Sequence, residues 1–206
     1  MRLLLKVFVV WPVALVLMPV IAFVLIRAKL GGGAGHAASS QQADRLYRGA
    51  DYWMTWPEGG AHSLRTGRLG EDGTLRTGLQ ADGLAAERAA RLAEGFSPAD
   101  GMSTIEVEYD LDGEWSREAL NRRHALEARL DALMLRTGLG LLDGGSIGPD
   151  TMEASVTVVD AALARRLIAE DLAGTEFADW ARMTVFRPDP EAQPETYPRG
   201  AMAAAH

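Results

Sequence analysis

The chain has 206 residues, no cysteine and a formal net charge of −7. The lack of cysteine excludes disulfides, thiolate metal sites and cysteine nucleophiles. The first thirty residues carry four of the 21 Lys and Arg residues and none of the 28 Asp and Glu residues, so the remainder holds 17 cations against 28 anions, a formal charge of −11. A surface of that sign does not attract nucleic acid or anionic lipid headgroups.

Residues 7–26 form an uninterrupted apolar segment, VFVVWPVALVLMPVIAFVLI. A helix of this length rises about 30 Å, which matches the hydrocarbon thickness of a bilayer. Arg2 and Lys6 precede the segment, and Arg27 and Lys29 follow it, so cations lie at both headgroup levels. We therefore predict a transmembrane anchor over residues 1–30 that contacts the lipid bilayer through residues 7–26.

A cleaved signal peptide is the main alternative, because the segment 35–38 ends in the small residues Ala37 and Ala38, as a cleavage site does. The apolar segment is longer than the usual signal-peptide core of about 7–15 residues, and Arg27 and Lys29 lie between it and the candidate cleavage site. The cations on the two sides of the anchor are nearly balanced, and the short basic N-terminus favours an extracytoplasmic soluble part. The predicted location is a bacterial-type cell membrane, crossed once.

Residues 31–101 are predicted to be a flexible linker followed by a region whose fold the sequence does not define. The glycines between 31 and 35 are typical of a tether. Four aromatic residues follow, for which packing in a core is favoured over a position at the membrane interface. They are Tyr47, Tyr52, Trp53 and Trp56.

A period-two pattern begins after Ser103, where apolar residues at 105, 107, 109 and 111 alternate with polar ones. This alternation predicts a strand with one buried and one wet face. A helix follows, which Ser116 can cap and Gly138 can end in a left-handed conformation. Its apolar residues at helical spacing are Leu126, Leu130, Leu133 and Met134.

The rest of this region has equally clear boundaries. The pattern predicts a strand at 139–142, a glycine-rich hairpin connection at 143–150, a strand at 152–159, a helix between Asp160 and Gly174, and a strand at 181–186. The order β-α-β-β-α-β, with both helices on one face of the sheet, predicts an α+β domain of the ferredoxin-like type over residues 102–187. Residues 188–206 contain several prolines and are predicted to be a disordered tail.

One segment carries a resemblance to known proteins. Residues 126–153, with GLGLLDGGSIGPDTME between helix and strand, resemble small uncharacterised bacterial ferredoxin-like domains with a glycine-rich turn between their second and third strands. The resemblance covers about 103–187 and implies the fold, and no activity comes with it.

The common sequence signatures of catalysis and cofactor binding are missing from the chain. The glycines at 144–148 lack the lysine of a phosphate-binding loop, and there is no G-x-S-x-G motif. The four histidines, at 36, 62, 124 and 206, lack the spacing of a zinc site. We therefore expect no catalytic residue, cofactor or metal, and a protein that is not an enzyme.

Acidic side chains cluster on the wet face of the first predicted strand. Glu106, Glu108 and Asp110 project from it, and the fold puts Glu153 and Arg182 on neighbouring strands. Cross-strand ion pairing explains these residues without chemistry. RNA-binding sheets of this topology carry stacking aromatics at such positions, so RNA binding is disfavoured.

These observations predict a single-pass, non-enzymatic protein whose acidic soluble domain binds a protein partner or stabilises a membrane complex. The five side chains of the wet face are the candidate interaction face. Two alternatives remain open at this point: a membrane-tethered sensor of a small ligand, or an enzyme that uses Glu106, Glu108 and Asp110.

Overall fold

The computed structural model describes residues 39–113 and 116–202 as an α+β protein with two antiparallel sheets. The predicted anchor at residues 7–26 and the glycines of the predicted linker lie outside the described residues. In the ranges that the structure does describe, no helix has both the length and the apolar character to cross a membrane.

The first sheet comes from residues for which the sequence predicted no fold. Its strands have the spatial order β1-β2-β3-β4, and a 3-10 turn at Ser40–Gln42 precedes them. The strands are β1 (Asp44–Arg48), β2 (Asp51–Glu58), β3 (Ala61–Arg68) and β4 (Thr74–Leu79), and helix α1 (Ala81–Ala93) follows. Residues 39–101 are therefore largely folded.

The second sheet has the order β6-β7-β5-β8-β9. Its elements in chain order are β5 (Ser103–Asp110), α2 (Arg117–Thr137), β6 (Gly140–Ile147), β7 (Thr151–Val158), α3 (Ala161–Leu172), β8 (Arg182–Phe186), β9 (Glu195–Pro198) and α4 (Arg199–Met202). The predicted succession of strands and helices between β5 and β8 is the observed one.

The predicted helix boundaries are confirmed by hydrogen bonds. The Ser116 hydroxyl accepts from the Ala119 amide at 3.0 Å, and an Asp160 carboxylate oxygen accepts from the Leu163 amide at 3.0 Å. Gly138 follows α2 with a φ of 68°, the left-handed conformation predicted for it.

The main core lies between the second sheet and the helices α2 and α3. The alternation in β5 buries Ile105, Val107 and Tyr109, as predicted. Fully buried residues of the other elements include Leu126, Leu130, Val156, Ile168 and Met183.

The first sheet is covered by a helix on each face. On one face Trp53 packs with Leu84 of α1, and on the other Tyr52, Met54 and Trp56 pack with Leu135 of α2. Packing in a core, the favoured interpretation of this aromatic cluster, is confirmed for Tyr52, Trp53 and Trp56, each at most 3% exposed. Helix α2 thus contributes to the packing of both sheets.

The predicted connection at 143–150 is wrong over most of its length, because β6 continues through Ile147. A bulge lies between Leu142 and Gly144, and a Cβ on Gly145 would overlap the carbonyl of Glu153 on β7. Gly145 therefore permits close strand pairing, Gly144 lies at the bulge with a φ of 126°, and only residues 148–150 turn the chain.

The prediction of a disordered tail at 188–206 is wrong for Glu195–Pro198, which forms β9. This strand pairs with β8 over its four residues, from Glu195 opposite Val185 to Pro198 opposite Arg182. Proline is tolerated here because β9 is an edge strand whose outer side needs no amide donor.

Candidate interaction face

The face of the second sheet that points away from α2 and α3 carries the predicted candidate residues. Glu106, Glu108 and Asp110 lie on β5, Glu153 lies on β7 and Arg182 lies on β8. Strand register and the alternation of burial put all five on this side. We call these five residues the acidic face.

One row of side chains crosses the sheet at Glu108. Glu153 of β7 is directly opposite Glu108 on one side, and Arg182 of β8 is directly opposite it on the other. Two carboxylates at opposed positions repel each other, so the contact between β5 and β7 at this row is unfavourable unless cations offset it.

Arg182 supplies part of that compensation. It forms an ion pair with Glu108, whose side chain is 17% exposed, and its Nη1 lies 4.0 Å from a carboxylate oxygen of Asp110, which is 77% exposed. The predicted cross-strand ion pairing is therefore present. Glu153 lies on the far side of Glu108 and accepts instead from the Ser146 hydroxyl at 2.9 Å.

In the neighbouring row across the sheet, hydroxyl side chains lie on both sides of Glu106. Glu106 lies between Ser155 of β7 and Thr184 of β8, and the Thr184 and Thr196 hydroxyls are 3.3 Å apart across β8 and β9. Ser155 is on the same side of the sheet but is only 1% exposed, because neighbouring strands enclose it and its hydroxyl donates to the Gly144 carbonyl.

The acidic face has four carboxylates and one guanidinium, a formal charge of −3. Within residues 39–113 and 116–202 there is no group of three or more His, Asp or Glu side chains arranged to hold a metal ion. His62 lies on β3 of the first sheet and His124 is exposed on α2 beside Arg123, so neither is brought to the acidic face. What the arrangement offers is a negatively charged sheet surface with hydroxyl groups.

Comparison with known proteins does not assign a function to the acidic face. Protein-family models, curated proteins and solved structures gave no match to this chain. The function of the acidic face is therefore inferred from its own residues.

Sequence reasoning missed a second polar cluster, centred on the segment Ser39–Ala43, which we call the N-terminal strap. Ser40 is fully buried, its amide donates to an Asp131 carboxylate oxygen at 2.9 Å, and its hydroxyl bonds the same oxygen. That hydroxyl also accepts from the Leu142 amide at 2.7 Å. The strap therefore joins α2 to the edge strand β6.

Arg45 and Tyr47 complete this cluster. The Arg45 guanidinium donates to the carbonyls of Ser40 and Ala43, and burial lowers its pKa. Burial raises the pKa of Tyr47 to about 12, with nearby Arg45 acting in the opposite direction. One signal in the sequence pointed to the cluster: Asp131 interrupts the apolar stripe of α2, and a buried acid needs a partner.

Proposed function

We propose that this chain is a single-pass, non-enzymatic membrane protein whose soluble domain binds a protein partner, or stabilises a membrane complex, through the acidic face. The observation that carries the proposal is the row formed by Glu153, Glu108 and Arg182. It holds two opposed carboxylates and one guanidinium, so it has unmatched negative charge. A lysine or arginine side chain of a partner, placed over Glu153, relieves this repulsion.

A ferredoxin-like arrangement of residues 103–187 is part of the proposal. The central positions of β5 and β7 in the order β6-β7-β5-β8 support it, as do the two helices on one face. This arrangement leaves one sheet face for a partner, and the acidic face lies there.

The partner is expected to present a basic surface. Complementary charge mainly sets association rate and selectivity, and it is screened by salt. Binding should therefore weaken when the ionic strength rises.

The test is co-purification of the full-length chain from its native membrane in mild detergent, with quantified partner recovery. Glu106→Gln combined with Glu153→Gln removes two charges and keeps oxygen acceptors. We expect about tenfold lower recovery, because the two lost ionic contacts together weaken binding by about 1.4 kcal/mol. Glu108 is left unchanged so that Arg182 keeps its ion pair.

A matched control removes the same charge elsewhere. Glu71→Gln with Glu94→Gln alters two exposed carboxylates that lie next to the first sheet, with side chains 70% and 47% exposed. This variant should recover the partner normally. Equal recovery with both double variants would exclude the acidic face as the binding surface.

The anchor needs a separate test. An inserted helix resists extraction by carbonate and high salt, and a protein adsorbed by charge does not. We expect the intact chain to stay with the membrane pellet. Recovery in the soluble fraction, with an N-terminus near Ala38 or Ser39, would establish the signal-peptide alternative.

A further inference from the structure

A row of uncharged side chains lies next to the acidic face on the same side of the second sheet. It crosses four strands, through Leu141 on β6, Thr157 on β7, Thr104 on β5 and Phe186 on β8. All four are partly exposed, and the residues that alternate with them, at 142, 156, 105 and 185, face the main core. We call these four residues the neutral row, which has an apolar side chain at each end.

Negative charge increases along β5 away from the neutral row. Thr104 is followed at every second position by Glu106, Glu108 and Asp110, and these side chains share one side of the strand. The first and the last of them are six residues apart in sequence, which is about 20 Å along a strand. A partner that covers this surface therefore meets a partly apolar end and an acidic end.

The acidic end continues beyond the last residue of β5. Asp110 is 77% exposed, and the exposed residues Asp112 and Asp150 follow in the adjoining loops. These two loops lie together, because the Leu111 amide donates to the Asp150 carbonyl at 2.8 Å. Carboxylates thus extend to the end of the sheet that is farthest from the neutral row.

The backbone of this surface restricts what can bind to it. β7, β5 and β8 each have a hydrogen-bonded strand on both sides, so their ladder groups are already engaged and a partner meets side chains. An extended segment laid over them would lose water from its own amides and carbonyls, whereas a helix satisfies these groups internally. The other side of the same sheet is covered by the helices α2 and α3. A helix is therefore the element that fits.

We propose that the partner covers the acidic face and the neutral row with one amphipathic helix that lies along β5. Its apolar residues contact Phe186, and its Lys or Arg residues lie over Glu153. Because it specifies the partner of the same surface, this proposal rests on the proposed function. The rows at Thr104 and Glu108 are about 14 Å apart, which is about nine residues of a helix. The cations of the helix therefore follow its apolar residues after two to three turns.

Cross-linking measures the form of the bound segment. A photoreactive residue is introduced as Thr104→benzoylphenylalanine in one full-length chain and as Asp110→benzoylphenylalanine in another, and both are illuminated in the native membrane. Mass spectrometry then identifies the partner residue that each position reaches. The two positions are about 20 Å apart, so the partner residues should be about 13 apart in a helix and about six apart in an extended segment. We expect about 13.

The control is Thr77→benzoylphenylalanine, because Thr77 is exposed on β4 of the first sheet and detects random collision. It should not label the same segment. A separation of about six residues would overturn the helix, and so would cross-links from position 110 alone or from neither position. If Glu106→Gln with Glu153→Gln still lowers partner recovery, the acidic face binds and only the helix is wrong. Normal recovery with that variant would show that the proposed function is also wrong.

The apolar end has a test of its own. Phe186→Thr should lower partner recovery about fivefold at low and at high salt, since salt does not screen an apolar contact. Leu75→Thr is the matched control, because Leu75 is 45% exposed on β4 and lies away from this surface. Circular dichroism verifies that both variants are folded. Normal recovery with folded Phe186→Thr, while Glu106→Gln with Glu153→Gln lowers recovery, would remove the neutral row from the interface and overturn the proposal.

Discussion

Gly138 lies where the end of α2 contacts β2 of the first sheet. It ends α2 in a left-handed conformation, and a Cβ at this position would overlap the ring of Tyr52 on β2. The Tyr52 hydroxyl donates to the carbonyl of Arg136, two residues earlier, at 3.1 Å. The glycine is therefore required both by backbone conformation and by the close approach of an aromatic ring.

Replacement of this glycine should be costly. Gly138→Ala adds a left-handed alanine, which costs about 1–2 kcal/mol, and forces Tyr52 out of its site, for a total of about 3–5 kcal/mol. Gly174→Ala is the matched control, since Gly174 follows α3 with a φ of 75° and has no atom within 4 Å of its added Cβ. Gly174→Ala should lower the free energy of unfolding only by the cost of a left-handed alanine, about 1–2 kcal/mol. Equal losses in urea denaturation would mean that the ring contact is unimportant.

The N-terminal strap joins the segment before β1 to α2 and β6. The Ser40 hydroxyl mediates this, because it serves both Asp131 and the Leu142 amide. The strap thereby covers part of the β6 edge, which would otherwise present an amide donor to other strands.

Removal of that hydroxyl should leave the Leu142 amide without its acceptor, and it should leave Asp131 with the bond from the Ser40 amide but without the bond from the hydroxyl. We expect Ser40→Ala to destabilise the protein by about 2–3 kcal/mol, because an unsatisfied buried group costs about 1–3 kcal/mol. Ser39→Ala is the control: its hydroxyl only accepts a local bond from the Gln41 amide at 3.3 Å. It should cost less than about 1 kcal/mol. Amide exchange at Leu142 should accelerate in the first variant alone.

The elements that sequence reasoning predicted well are those with a single buried face and a cap. β5 shows strict alternation, and α2 has Ser116 and Gly138 at its ends. The acidic face followed from that alternation together with the order of the strands. Its hydrogen bonds and ion pairs did not follow, because register between β5, β7 and β8 is set by the whole sheet.

Other elements carry no such pattern. β2 is buried on both faces, with Tyr52, Trp53 and Met54 all enclosed, so its sequence lacks a period of two. The glycine-rich sequence of β6 is typical of a turn, and the reason for Gly145, the close Glu153 carbonyl on β7, depends on the strand pairing. Pro198 argues against a strand except at an edge, and the edge position of β9 depends on the fold itself.

Buried tyrosines in both halves make the whole molecule sensitive to alkaline pH. Burial raises the pKa of Tyr47 and of Tyr52 to about 12, and it also raises the pKa of Tyr109. In the unfolded chain these tyrosines ionise with their ordinary pKa of about 10. Stability from these residues is therefore complete below about pH 10 and is lost as the pH rises through the folded-state values.

Tyr47→Phe tests this linkage. Among the described residues, the Tyr47 hydroxyl is buried without a hydrogen-bond partner, so its removal should change stability at neutral pH by less than about 1 kcal/mol. The variant should lose less stability than the original between about pH 8 and pH 11, in urea denaturation at each pH. Parallel losses would show that Tyr47 ionises equally in both states.

The two-sheet architecture also bears on which part of the chain folds alone. The buried residues of the main core all lie between Ile105 and Val185, so a fragment of residues 101–187 contains them. The same fragment lacks the N-terminal strap and the cover over Leu135, and it lacks Tyr197 at the margin of the core. Its core is complete, but one side of α2 is uncovered.

We expect this fragment to fold, with lower stability than a fragment of residues 39–202. The difference should be about 3–5 kcal/mol, since Asp131 loses its buried partner and Leu135 becomes exposed, against a total stability of about 5–10 kcal/mol. Urea denaturation followed by circular dichroism measures both fragments. A cooperative transition at lower urea is the expected result. If the shorter fragment is disordered until residues 39–100 are restored, the second sheet requires the first, and the two sheets form one folding unit.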